Sequence, residues 1–160
     1  MTTSEGRSPS PGSPPGGATV DWDSLRAAAR AVRAHAYAPY SGYLVGAAAL
    51  AADGRLLTGC NVENASFGIT LCAECGVVSD LHATGGGRLV AVACVGGTAD
   101  EPARVVLPCG RCRQLLAENG GGDLLVDGPD GTVTLETLLP HAFSAAEMVV
   151  AAPGGAQGAR

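Results

Sequence analysis

The chain has 160 residues, ten basic against fifteen acidic, and a net charge of −5. That balance excludes the basic face which phosphate contacts demand, so nucleic acid is not an expected partner. All the basic residues are arginine; the absence of lysine excludes Schiff-base chemistry, pyridoxal attachment and the phosphate-loop lysine together.

In chain order, residues 1–19 are rich in Ser, Pro and Gly with nothing to bury, and read as a disordered tail. Residues 20–151 are expected to form one domain, large enough for a single core, and residues 152–160 a flexible C-terminus. Trp22 to Ala38 repeats small apolar residues at helical spacing, with Asp21 or Asp23 as N-cap and Pro39 as the stop. Val45 to Ala52, the turn Asp53-Gly54, and Arg55 to Cys60 form the pattern of a β-hairpin. Cys72 to Ala83 reads as a helix closed by Gly85-Gly86-Gly87, a helix stop and not a phosphate loop. A buried strand follows at Leu89 to Val95, a second helix from Cys109 to Asn119, and two short strands at Leu124–Asp127 and Thr132–Leu135. Strands with intervening helices predict an α/β fold, a mixed sheet of about five strands covered on both faces. No apolar stretch reaches membrane length and no charged-then-apolar segment opens the chain. With six cysteines read as reduced thiols, the expectation is a cytoplasmic protein without a membrane partner.

The chemistry concentrates in Cys72-Ala73-Glu74 and in Pro108-Cys109-Gly110-Arg111-Cys112. Three thiolates make a tetrahedral zinc site with one position open to water, and Glu74, two residues from a ligand, is placed to move that water's protons. A ligand followed two residues later by Glu, then Pro-Cys-x-x-Cys, is the order of the zinc deaminases, with Cys72 where others carry His. Two alternatives attach to these residues. Glu74 alone is also an ordinary first-turn acid, and Cys72-x-x-Cys75 with Cys109-x-x-Cys112 also spells a closed four-cysteine structural site.

Five segments extend the pattern: Tyr37 to Ala48, Gly59 to Phe67, Cys72 to Glu74, Pro108 to Gln114 and Leu138 to Phe143. In these the chain resembles the small homotetrameric zinc-dependent cytidine deaminases, the actinobacterial branch most. The resemblance implies a three-layer α/β/α fold and one Zn2+ per subunit on Cys72, Cys109 and Cys112. It implies hydrolytic deamination of cytidine and 2′-deoxycytidine in pyrimidine salvage, with Glu74 shuttling protons. It further implies a homotetramer whose active sites are shared between subunits.

By the same resemblance Asn61 and Glu63 bind the ribose hydroxyl, Tyr43 flanks the nucleoside, Ala65 and Phe67 belong to the substrate loop, and Phe143 stacks on the base from a neighbouring subunit. As bare residues, Tyr43, Phe67 and Phe143 read equally as core aromatics, and Cys60 and Cys94 as core thiols. The nearest competing reaction is deamination of a cytosine-nucleoside antibiotic of the blasticidin type; Tyr40-Ser41 and Asn61-x-Glu63 favour the ordinary nucleoside.

Three thiolates on Zn2+ leave an anionic centre, a weaker Lewis acid than one with neutral ligands. Helix N-termini and a nearby cation offset that charge. Many relatives carry an arginine directly after the Cys-Ala-Glu motif, where this chain has Cys75. Arg111 is the candidate replacement, Arg113 the second, and Gln114 a further residue holding the loop beside the metal. Arg111→Ala is expected to weaken zinc retention; unchanged metal content and turnover would refute that role.

Overall fold

The computed structural model describes residues 19–148; the expected tails, 152–160 and all of 1–19 but its last residue, lie outside them, as do residues 149–151 of the expected domain. Helix α1 (Trp22–Arg33) precedes the hairpin β1 (Leu44–Ala51) and β2 (Leu56–Cys60). Helix α2 (Ala73–Ala83) leads to β3 (Leu89–Gly97) and β4 (Arg104–Val105), and α3 (Gly110–Gly120) to β5 (Leu125–Gly128) and β6 (Gly131–Thr134). A single-turn helix α4 (Leu135–Leu138) follows. The sheet runs β2-β1-β3-β5-β6, with β4 paired to β3 beyond the end of β5. All pairings are antiparallel except β3 with β5, the pair joined across α3.

The even-odd alternation of the central strands sorts the core into two layers. Ala47, Ala49, Ala51, Val92 and Cys94 face α2 and α3, packing with Val77, Leu81 and Leu116. Ala48, Ala91, Ala93 and Val95 face α1, packing with Leu25 and Ala29. Strand β3 is therefore covered on both sides, which explains its near-continuous apolar run. Helix α1 is also anchored by charge. The Arg26 guanidinium donates through Nε and Nη2 to both oxygens of fully buried Asp127, each at 2.7 Å.

Three sequence expectations change. The sheet has six strands, because the two-residue β4 is too short to show a period. Helix α1 ends at Arg33 and not at Ala38. Tyr37 is pulled into a bridge with Val62, and Arg33 turns its guanidinium onto the carbonyls of Leu44, Gly97 and Thr98. Leu135, expected to end a strand, instead begins α4, capped by the Thr134 hydroxyl.

A close contact sets the depth of α2. A Cβ on Gly59 of β2 would lie 2.3 Å from the Ala73 carbonyl oxygen and 2.7 Å from the Val77 nitrogen. Gly76 meets Gly59 in return, its own Cβ position being 2.9 Å from the Gly59 Cα. Backbone thus packs on backbone beneath the first turn of α2, the turn that carries Glu74. Gly59→Ala is expected to lower stability by about 1–3 kcal/mol by overpacking, read from the midpoint of urea unfolding; an unchanged midpoint would show that the helix is not seated on this contact.

Candidate active site

Cys72 is the N-cap of α2 and Cys109 the N-cap of α3, with Cys112 in the first turn of α3. Neither N-cap thiol is used as an ordinary side-chain cap, so both remain available as ligands. Two helix N-termini therefore meet at one point, bringing partial positive charge to the sulfurs. The Cys72 and Cys109 sulfurs lie 3.8 Å apart, and all three ligand sulfurs lie within 4.8 Å of one another. Zn–S bonds of about 2.3 Å in a tetrahedron put sulfurs about 3.8 Å apart, so the triangle fits zinc.

The protonation energetics agree. Burial pushes the Cys72 thiol up to about 11, with the charges on Cys109 and Glu74 adding to it. Burial and then the Glu74 charge raise Cys112 as well. At Cys109 burial also acts upward, but the polar groups of Cys112 and the Cys72 thiol beside it outweigh it, and the thiol is held below its ordinary value. Three such thiols ionise together only when a cation balances them.

Cys75 lies outside the sulfur cluster. It lines a groove between α2 and α3 with Leu71, Val78, Arg111 and Leu115. The sulfur cluster therefore holds three cysteines and not four, although Cys75 stands at the same spacing from Cys72 as Cys112 from Cys109. Glu74 is 4% exposed. Its Oε1 accepts a hydrogen bond from the Cys94 thiol at 3.7 Å, so a residue read from sequence as core sits directly behind the candidate acid–base group. The period-2 spacing of Val92, Cys94 and Gly96 on β3 is the signal that would have placed it there.

In front of the sulfurs opens a cavity of about 310 Å3, lined by Tyr43, Asn61, Glu63, Glu74, Cys72 and Cys109. Thr70, Leu71, Val106 and Leu107 complete it; they went unnoticed in the sequence because nothing about their type or spacing is distinctive. The Tyr43 ring lies across Gly96, where a Cβ would come within 2.8 Å of its Cε1 and hydroxyl. The Glu63 carboxylate accepts from the Tyr40 amide at 2.9 Å, the Ser41 amide at 3.2 Å and the Ser41 hydroxyl. The Ser41 hydroxyl, and then the Tyr40 amide, hold its pKa below the usual carboxylate value.

The remaining expected residues lie outside this cavity. Ala65 is exposed, Phe67 is 76% exposed, and Phe143 is 59% exposed. Tyr40 meets Phe67 edge to face at 6.1 Å. Arg111 donates to the Thr70 carbonyl at 3.1 Å, tying the two ligand-bearing segments together. Arg113 holds the carbonyls of Pro108 and Leu138, and Gln114 that of Phe143.

Residues 21–126 match the family described as "Cytidine and deoxycytidylate deaminase zinc-binding region". The chain belongs to this deaminase family. Cytidine deaminase of Mycobacterium tuberculosis is 59% identical over 124 residues, covering 78% of this chain and 90% of that protein. That of Halalkalibacterium halodurans is 42% identical over 121 residues, covering 72% and 89%. Among solved structures, the M. tuberculosis enzyme superposes with a TM-score of 0.73 at 57% identity, covering 79% of this chain and 99% of that one. The Burkholderia pseudomallei enzyme superposes at 0.68 with 40% identity, covering 78% and 100%. The six-stranded α/β sheet is thus a cytidine-deaminase-like fold, and the cluster of Cys72, Cys109 and Cys112 fits one zinc per subunit of a zinc-binding deaminase domain. Metal analysis of the purified protein should find one zinc per subunit, lost in Cys112→Ser and kept in Cys75→Ser. Loss in Cys75→Ser would restore the four-cysteine site.

Proposed function

We propose that this protein hydrolyses cytidine and 2′-deoxycytidine to the uridine nucleosides and ammonia, in pyrimidine salvage in the cytoplasm. The observation that carries the reading is a buried carboxylate, Glu74, beside three metal-ligating sulfurs at the floor of a cavity of small-molecule size. Zinc on Cys72, Cys109 and Cys112 supplies the Lewis acidity that makes water a nucleophile near neutral pH.

Glu74 takes a proton from the attacking water and delivers it to the ring nitrogen next to the amine-bearing carbon, C4. Oxygen bonds to C4 as the ring double bond opens. Glu74 then carries the water's second proton to the amino group, and the C4–N bond breaks with the electron pair leaving on ammonia. One water is consumed, one ammonia is released, and Glu74 ends as the carboxylate it began as. Burial and the hydrogen bond from Cys94 hold the carboxylate still while it serves both atoms.

Tyr43, Asn61 and Glu63 line the cavity together and are the groups that meet the nucleoside. Arg111 ties the two ligand-bearing segments together through the Thr70 carbonyl. Exposed Phe67, Ile69, Leu71 and Phe143 form apolar surface which supports the homotetramer, with Ala65, Phe67 and Phe143 completing the site of a neighbouring subunit. Among the described residues no helix is long and apolar enough to cross a membrane. The acidic balance supports a free nucleoside over a polynucleotide as substrate.

Glu74→Gln is expected to keep its zinc and lose about 10²–10⁴-fold in kcat, followed by the ultraviolet absorbance of cytidine with ammonia assayed at the end. Full activity in that variant would remove Glu74 from the mechanism. Light scattering on the same preparation should give a four-subunit mass; an active monomer would refute the shared site.

A further inference from the structure

Two arginines fasten helix α1 to the sheet, and they grip different things. Arg26 holds the buried carboxylate of Asp127 on β5, and neither residue lines the cavity. Arg33, the last residue of the helix, grips backbone. Its Nε donates to the Leu44 carbonyl at 3.0 Å, and its Nη2 to the Gly97 and Thr98 carbonyls at 2.7 and 2.6 Å.

Those carbonyls belong to the two strand ends that carry the Tyr43 wall. Leu44 and Gly97 are the terminal pair of the β1–β3 ladder. Tyr43 directly precedes Leu44, and its ring lies across Gly96, which directly precedes Gly97. Arg33 therefore bridges two backbones where the ring of one rests on the other. A planar guanidinium with donors in fixed directions holds both strands at one separation.

The clamp is itself held firmly. The last turn of α1 sits on Gly46 of β1, where a Cβ would come within 2.8 Å of the Arg33 nitrogen and 2.9 Å of its Cβ. The guanidinium is thus carried by a helix end seated directly against the strand it grips.

We infer that Arg33 is a positioning residue for the reaction: by clamping β1 to β3 at Leu44 and Gly97, it sets the Tyr43 wall of the nucleoside cavity. The inference rests on the deaminase reading of that cavity and adds to it a residue that does not line it. Simply holding α1 to the sheet is the competing role, and Arg26 performs that one without touching either strand end.

The two roles separate when Arg33→Ala and Arg26→Ala are compared as zinc-loaded proteins. Both are expected to lower the midpoint of urea unfolding. Only Arg33→Ala is expected to raise KM for cytidine, by about three- to tenfold, with kcat nearly unchanged. Arg33→Lys, which keeps a donor for the carbonyls, should recover part of the loss. The rise should disappear in a Tyr43→Ala background, because the clamp acts through that ring. An unchanged KM in Arg33→Ala, an equal rise in Arg26→Ala, or an effect that adds to that of Tyr43→Ala would overturn the inference.

Should Arg33→Ala not fold, Arg33→Gln serves; its shorter side chain cannot span both strands, and it must show the same rise in KM. A second readout needs no turnover. The Val45 amide follows Leu44 and donates to Asn61 Oδ1. Its hydrogen exchange should quicken in Arg33→Ala and not in Arg26→Ala, and unchanged exchange in Arg33→Ala would also overturn the assignment. Absence of cytidine turnover in the unaltered protein would sink the deaminase reading alone, leaving the exchange comparison to decide the role of Arg33.

Discussion

The convergence of three thiols from two chain segments on one point governs the architecture. The Cys72 and Cys112 thiols are costly to ionise inside the protein, through burial and then through neighbouring charge. The fold meets that cost by bringing together the N-terminal ends of α2 and α3, with Cys72 and Cys109 as their caps and Cys112 one turn in. Partial positive charge at both helix ends and a divalent cation make the trianionic set stable. The rest of the fold holds two helices in that relation. Gly59 and Gly76 let α2 sink onto β2, and α3 is fixed by the crossover from β3 to the parallel strand β5.

Strand β3 links the core to the chemistry. Val92 is packed in the layer beneath α2 and α3. Two residues on, Cys94 donates to the Glu74 carboxylate, and two further on Gly96 lies under the Tyr43 ring. One face of one strand thus passes from packing to proton handling to substrate wall, because side chains two apart project the same way. A shift of one residue in the β1–β3 register would exchange this face for the alanine-lined one against α1. The eight-residue pairing of β1 with β3 is what prevents it.

The wall opposite the sulfurs is made of loop, and its order comes from polar groups. Asn61 and Glu63 fasten Tyr40, Ser41, Tyr43 and Val45 through side-chain hydrogen bonds. A loop held this way gives a cavity its shape without adding apolar bulk, which suits a polar nucleoside. The aromatic rings of Phe67 and Phe143 stay largely exposed, although Phe67 meets Tyr40 edge to face and Gln114 holds the Phe143 carbonyl.

The grouping of Cys72, Cys109 and Cys112 beside Glu74 and the α/β class were legible in the chain itself. Cys-x-Glu and Pro-Cys-x-x-Cys state local requirements that two helix starts satisfy, and the helices and main strands follow from apolar spacing. Cys75 was ambiguous, since spacing alone does not say which face of a helix meets the other pair. Its exclusion, the turn of α1 at Arg33, strand β4, and the partners of Cys94 and Asn61 are tertiary decisions. Each depends on what another segment places nearby: Val62 for Tyr37, Glu74 for Cys94, and the Tyr43–Val45 backbone for Asn61. The sequence by itself determined which candidate reactive groups come together, because reactive residue types and their spacing are local properties. The tertiary structure alone decided which polar groups are hydrogen-bonded to one another, because those partners come from segments far apart in the chain.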